Sequence, residues 1–141
     1  MTIQEKAQSV VDEFLIFDDW MDKYAHLIEL GKELPLIDEK YKNETHLISG
    51  CQSRVWLHAD FDNGIVKFTA DSDAVITKGI ISLLIRVLSE SKPSDIVEAD
   101  FNFLDEIGLK AHLSPTRANG LVSMIKQMQL YARALQIKAN S

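Results

Sequence analysis

The chain contains a single cysteine, Cys51, in the run Gly50-Cys51-Gln52-Ser53 between two segments of strand character. As a thiolate, cysteine attacks electrophilic carbon and sulfur, and it can carry an added sulfur atom. Gly50 permits a sharp backbone turn ahead of it, and the neighbouring Arg54 could favour the anion. A lone cysteine is also commonly a small buried hydrophobe, and its type alone does not separate the two readings.

Arg117 is the second unusual placement. Ser114-Pro115 reads as an N-cap followed by a first helical residue, so Arg117 falls in a first turn, where the helix dipole disfavours a cation by about 0.3–1 kcal/mol. A nearby anion would account for it, as would solvation or pairing with one of the many carboxylates. If that anion were sulfur on Cys51, both anomalies would belong to one site. His26, His46, His58 and His112 lack H-x-x-x-H or C-x-x-H spacing, so no metal is expected. A cysteine hydrolase or transferase acting alone would need an oriented base, for which His46 or His112 are the candidates. Asp71 and Asp73 could be paired acids, but a helix start uses the same residues as caps. Trp20, Trp56 and Met124 to Met128 read as core, and no glycine-rich phosphate loop is present.

Thr2 and Glu5 have capping-box spacing ahead of Ala7, Val10, Val11, Phe14 and Leu15, so a first helix starts near Ile3. Asp18-Asp19 reads as a break and a new cap, and Trp20, Tyr24, Leu27 and Ile28 form a second stripe ending at Gly31. Residues 32–45 are polar, contain Pro35 and read as a loop. Val55, Leu57, Ala59 and Phe61 alternate with polar or large partners, as do Val66, Phe68 and Ala70, which predicts a β-hairpin turning at Asn63-Gly64. His46-Leu47-Ile48-Ser49 reads as a third, edge strand. Asp71-Ser72-Asp73 should cap a helix over 74–88 that is apolar nearly all round and therefore mostly buried. Short helical turns are expected at 94–97 and 101–107, closed by Gly108. The final helix begins at Pro115 and aligns Leu121, Met124, Ile125, Met128, Tyr131, Ala132 and Leu135, with Arg133 and Lys138 at its carboxyl end. Helices packed around a small antiparallel sheet of about three strands make an α+β fold, and 1–141 is expected to be a single domain.

The chain has 141 residues, 15 basic against 21 acidic side chains and a formal charge of −6, the wrong sign for a reader of phosphate backbones. Nucleic acid is therefore not an expected partner. One cysteine excludes an internal disulfide, a C-x-x-C redox pair and a thiolate-rich cluster supplied by this chain alone. With neither a cationic-then-apolar start nor a long apolar run, no membrane is expected, and the cytoplasm is the expected compartment.

Three separated blocks carry a resemblance. Gly50-Cys51-Gln52-Ser53-Arg54-Val55-Trp56, then Asp71 through Gly79 (DSDAVITKG), then Leu113 through Leu121 (LSPTRANGL), together resemble the SufE sulfur-acceptor family of iron-sulfur cluster assembly. Trp20 to Tyr24, Ile28-Glu29-Leu30-Gly31 and Leu34-Pro35 extend the likeness over nearly the whole chain. The resemblance implies a sulfur carrier. A cysteine desulfurase of SufS type would form a persulfide, pass its sulfane sulfur to Cys51 and be stimulated by losing it, and a Suf-type scaffold complex would receive the sulfur. Pyridoxal phosphate would belong to the desulfurase, with no cofactor bound by this chain. The resemblance further implies that Cys51 is partly buried over an apolar cavity, on a loop that opens for delivery. Gly50, Gln52, Ser53, Asp73 and Arg117 are its supporting residues, with the helix starts near Ser72 and Ser114 holding the loop. Thr77 departs from the family pattern, which commonly has an apolar residue there, and it bears on local helix packing.

Overall fold

A computed structural model describes residues 1–139. The two opening helices start at the expected caps. In α1 (Ile3–Phe14), Thr2 and Glu5 cap each other's backbone reciprocally, and in α2 (Trp20–Lys32) the Asp19 carboxylate accepts from the Asp22 N–H. Each cap supplies acceptors for amides that an α-helix leaves unpaired in its first turn.

The hairpin joins β1 (Val55–Asp62) to β2 (Ile65–Ser72), antiparallel, with Val55 opposite Ser72 and Asp62 opposite Ile65. Asn63 and Gly64 take φ of 53° and 77° at the turn, the left-handed conformation a two-residue hairpin loop requires. The sheet is two-stranded. The expected third strand reduces to one antiparallel bridge between Leu47 and Trp56, because Asn43 caps a 3-10 turn over Glu44–His46 and Gly50 turns the chain away at φ 90°. Too few residues remain extended between them to form a ladder.

The outer edge of β2 is covered along its length. Ala70 pairs with Pro35 and Ile37, the Phe68 N–H donates to Ser89 Oγ, and Val66 pairs with Glu90 and Ser91. The polar segment 32–45 thus runs along the sheet and then folds into 3-10 turns, pinned by a 2.7 Å ion pair from Lys42 to Asp71.

Helix α3 (Val75–Leu88) is buried over most of its surface, with ten residues inside, as its apolar sequence requires. Its N-cap is Ala74, without a side-chain cap, so Asp71-Ser72-Asp73 does not serve as the expected capping run. Strand pairing carries β2 through Ser72, and Ser72 and Asp73 turn their side chains to Arg54 instead. Three short helices follow: α4 (Pro93–Val97), α5 (Asn102–Glu106) and α6 (Leu109–His112), the last after Gly108 at φ 74°. Helix α7 (Pro115–Ala139) buries Leu121, Met124, Met128 and Ala132 of the expected stripe and leaves Ile125, Tyr131 and Leu135 half-buried, while Gly120, outside that stripe, is buried as well. Its Tyr131 hydroxyl donates to the Leu57 carbonyl of β1.

One hydrophobic core runs through α1, α2, the inner face of the hairpin, α3 and α7. Trp20 and Trp56 are half-buried rather than inside it. Trp20 packs against the core and stacks on His112, whereas Trp56, between the buried Val55 and Leu57 of β1, lies on the other face of the hairpin and meets the Lys42 ammonium. Among the described residues, no helix is long and apolar enough to cross a membrane.

Candidate functional site

The loop bearing Cys51 is held at both ends. On its entry side the Ile48 N–H donates to the Val55 carbonyl at 2.8 Å. On its exit side the Arg54 backbone is gripped twice: its N–H donates to Asp73 Oδ1 at 3.1 Å, and its carbonyl accepts from Ser72 Oγ at 2.8 Å and from the Asp73 N–H at 3.3 Å. Ser72 and Asp73 therefore anchor the loop to the junction of β2 and α3.

Between these anchors Gly50, at φ 90°, lies against Ser123 of α7, so that a Cβ would collide with the serine side chain. Both the left-handed backbone and the close approach require glycine. Cys51 follows, half-buried, and its Sγ donates to the Gly120 carbonyl at 3.7 Å. A Cβ on Gly120 would stand 3.5 Å from that sulfur, so the helix backbone itself forms the wall against the thiol.

Cys51 opens on a cavity of about 440 Å³ between α3 and α7. Gln52, Ser53 and Arg117 line it together with Thr77, Ile80 and Met124. The two anomalies of the sequence therefore meet at one cavity, and the Ser114 cap is formed, its Oγ accepting from the Arg117 N–H at 3.3 Å. The electrostatics differ from the expectation. Burial alone pushes the Cys51 thiol above its ordinary value, and neither Arg54 nor Arg117 acts on it in this conformation. Arg54 contributes its backbone and its side chain is exposed; Arg117 is exposed at the cavity and forms no ion pair among the described residues. An S–H bond to a carbonyl also favours the protonated form, so the loop as folded holds a neutral thiol.

Alkylation should report this directly. Cys51 is expected to react with iodoacetamide more slowly in the folded protein than in the denatured chain at neutral pH, by about tenfold for each unit of pKa elevation. The rate should keep climbing through the pH range where an ordinary thiol levels off, followed by mass spectrometry.

The histidines lie elsewhere. His58 bridges His46 and Asp60 through its two ring nitrogens, at 3.1 and 3.0 Å, and stacks on Tyr41. His26 pairs with Glu13, and His112 contacts Gly108 and Trp20. Neither His46 nor His112 lines the cavity of Cys51, so the base required by a cysteine hydrolase is not at the site. Asp71 pairs with Lys42 and Lys78 while Asp73 grips Arg54, so these two do not act as paired acids. Among the described residues, no group of three His, Cys, Asp or Glu side chains is placed to hold a metal ion.

Sequence reasoning missed Gly120, Ser123, Thr116, Ile80 and Met124 as parts of the site. Only Gly120, a glycine inside an otherwise strong helical pattern, carried a local signal of close backbone approach. Thr77 lines the cavity, so this residue bears on the site and not on helix packing alone.

Comparison with known proteins gives one consistent result. The profile of the SufE family, described as an Fe-S metabolism associated domain, matches residues 8–132. An uncharacterized SufE-like protein of Rhizobium etli is 38% identical over 129 residues, covering 88% of this chain and 87% of the relative. One from Synechocystis is 35% identical over 136 residues, covering 96% and 86%. The solution structure of a hypothetical protein from Thermus thermophilus superposes with a TM-score of 0.77 at 22% identity, over 92% of this chain and 94% of that one, a likeness of fold.

Proposed function

The chain belongs to the SufE family, the Fe-S metabolism associated domain, and on that premise we propose that it is a sulfur acceptor and carrier in iron-sulfur cluster assembly, with Cys51 holding the sulfur. The observation that carries this reading is the half-buried thiol beside a cavity of about 440 Å³. A single sulfur atom needs roughly the volume of a water molecule, about 30 Å³, so the cavity has ample room to enclose it.

The chemistry is a sulfur-for-sulfur displacement. Cys51 loses its proton to solvent, and the thiolate attacks the outer sulfur of a donor persulfide. The donor's S–S bond breaks, its cysteine leaves as a thiolate, and a new S–S bond forms on Cys51 with no net oxidation or reduction. The donor is a pyridoxal-phosphate cysteine desulfurase of SufS type, which is accelerated when its persulfide is cleared. The receiver is a Suf-type scaffold complex, and the exchange takes place in the cytoplasm. A single cysteine suits a carrier, because no second thiol in the chain can discharge the persulfide as an internal disulfide.

Since the folded loop favours the neutral thiol, transfer requires the Cys51 loop to release from Gly120 and Ser123. As the sulfur becomes anionic, Arg117 at the cavity can stabilise it. Arg117→Ala is expected to slow sulfur uptake by about tenfold, the loss of one charge-assisted hydrogen bond, while changing stability by no more than about 0.5 kcal/mol. Persulfide formation followed by quenched-flow mass spectrometry, beside a melting curve, checks both; an equal loss in the two would assign Arg117 a structural role.

The test of the function is the intact mass of the protein after incubation with a cysteine desulfurase and free cysteine. One added sulfur, removable by a reductant, is expected. No added sulfur from a desulfurase shown active in the same tube would overturn the reading.

A further inference from the structure

Thr77 supplies the cavity with a hydroxyl that the fold does not use. It lies in the first turn of α3, only 7% exposed, and among the described residues its hydroxyl makes no hydrogen bond. No fully enclosed side-chain oxygen or nitrogen among the described residues lacks a partner, so the Thr77 oxygen is not sealed in, and Thr77 is one of the residues that line the cavity beside Cys51. A valine would fill the same shape without a donor, so the Thr77 hydroxyl adds an uncommitted O–H to the lining of this cavity. The position offers a hydrogen bond to a ligand atom that accepts one.

The charge of the cavity says what kind of atom. In a chain of net charge −6, no carboxylate among the described residues lines this cavity, while Arg117 and the hydroxyls of Ser53, Ser114, Thr116 and Thr77 do. Such a lining suits an anion. The thiol of Cys51 points at the Gly120 carbonyl as a donor. Once a second sulfur replaces that proton, the outer sulfur is a negatively charged acceptor, repelled by the same carbonyl. It must turn towards donors, and Thr77 on α3 lines the cavity together with Gly120 of α7.

We infer that Thr77 donates its O–H to the outer sulfur of a Cys51 persulfide and holds it as the anion inside the cavity. This rests on the carrier reading above. It names a residue that binds the cargo.

The test loads Cys51 without any desulfurase, by letting hydrosulfide displace an aromatic thiolate from a Cys51 mixed disulfide. The persulfide is then titrated through its ultraviolet absorbance in the wild type, Thr77→Val and Thr77→Ser. Thr77→Val is expected to raise the persulfide pKa by about one unit, a tenfold shift in the ionisation constant, and Thr77→Ser to restore it to within about a factor of two. A purely structural role would move the melting temperature of both variants and leave the persulfide pKa in place. Equal pKa values in the wild type and Thr77→Val would overturn the assignment of Thr77 and leave the carrier reading standing. Failure of the wild type to hold a persulfide at all would overturn both.

Discussion

Cys51→Ser is expected to take up no sulfur from a desulfurase and cysteine, while the wild type gains one atom under the same conditions. The variant removes the only thiol in the chain and little else. Serine has nearly the shape of cysteine, and its hydroxyl can donate to the Gly120 carbonyl in place of the 3.7 Å S–H contact. Stability should therefore stay within about 1 kcal/mol of the wild type. The alcohol is essentially never ionised near neutral pH, and it does not form the S–S bond on which the transfer depends. Intact mass gives the uptake, and a thermal melt verifies the fold. Binding of the desulfurase should survive, because the substitution leaves the surface of the loop nearly unchanged. Any sulfur retained on Cys51→Ser would place the acceptor atom elsewhere and overturn the proposed function.

Gly79→Ala should produce the largest loss of stability. Helices α2 and α3 approach each other at Gly31 and Gly79, and a Cβ on Gly79 would stand 2.9 Å from the Leu27 carbonyl carbon and 3.0 Å from its Cγ. The nearest obstruction is backbone, which cannot swing aside, so the helices must separate. Separation also stretches the 2.6 Å bond from Ser82 Oγ to the Leu30 carbonyl, which ties the same two helices together. Overpacking of this kind costs about 1–3 kcal/mol or more, partly offset by about 1 kcal/mol of better helix propensity for alanine. A net loss of about 2 kcal/mol, or roughly 6–10 °C in melting temperature by circular dichroism, is the expected result. Thr77 and Ile80 flank Gly79 on α3 and line the cavity. Alkylation of Cys51 should therefore accelerate in this variant, although the substitution is not in the loop.

Legibility from sequence followed the range of the interactions. The hairpin was readable because alternation and Asn63-Gly64 are both local, and the structure places the turn on those two residues. The caps at Thr2, Asp19 and Ser114 were readable for the same reason. Asp73 was misread where a distant partner competed with a local one: its carboxylate suits a helix cap, but strand pairing had already brought Arg54 alongside. The third strand failed because a short apolar run does not reveal that both of its flanks are committed to turns. At the site, Cys51 and Arg117 were noticed as anomalies of placement, and the structure brings them to one cavity. That the thiol is nevertheless held neutral, with no help from either arginine, was not readable, since it depends on how far the thiol is buried and on a helix carbonyl far away in sequence. Gly120 and Thr77 belong to the site through the placing of α3 and α7 around one cavity, of which only the glycine inside the α7 pattern gave a local sign.

The anchors on either side of Cys51 also set a leash. The chain is tied down at Ile48 and again at Arg54, and Cys51 lies midway between them. Three residues of fully extended chain span at most about 10–11 Å, so with both ties intact the cysteine can travel no farther than that from either. A thiol on so short a leash cannot probe a deep channel in another protein or ferry sulfur across a gap, as a long swinging arm would. If Cys51 carries sulfur as proposed, donor and receiver must each bring their reactive atom out to this doorstep, and because both need the same few ångströms of space, they must call in turn.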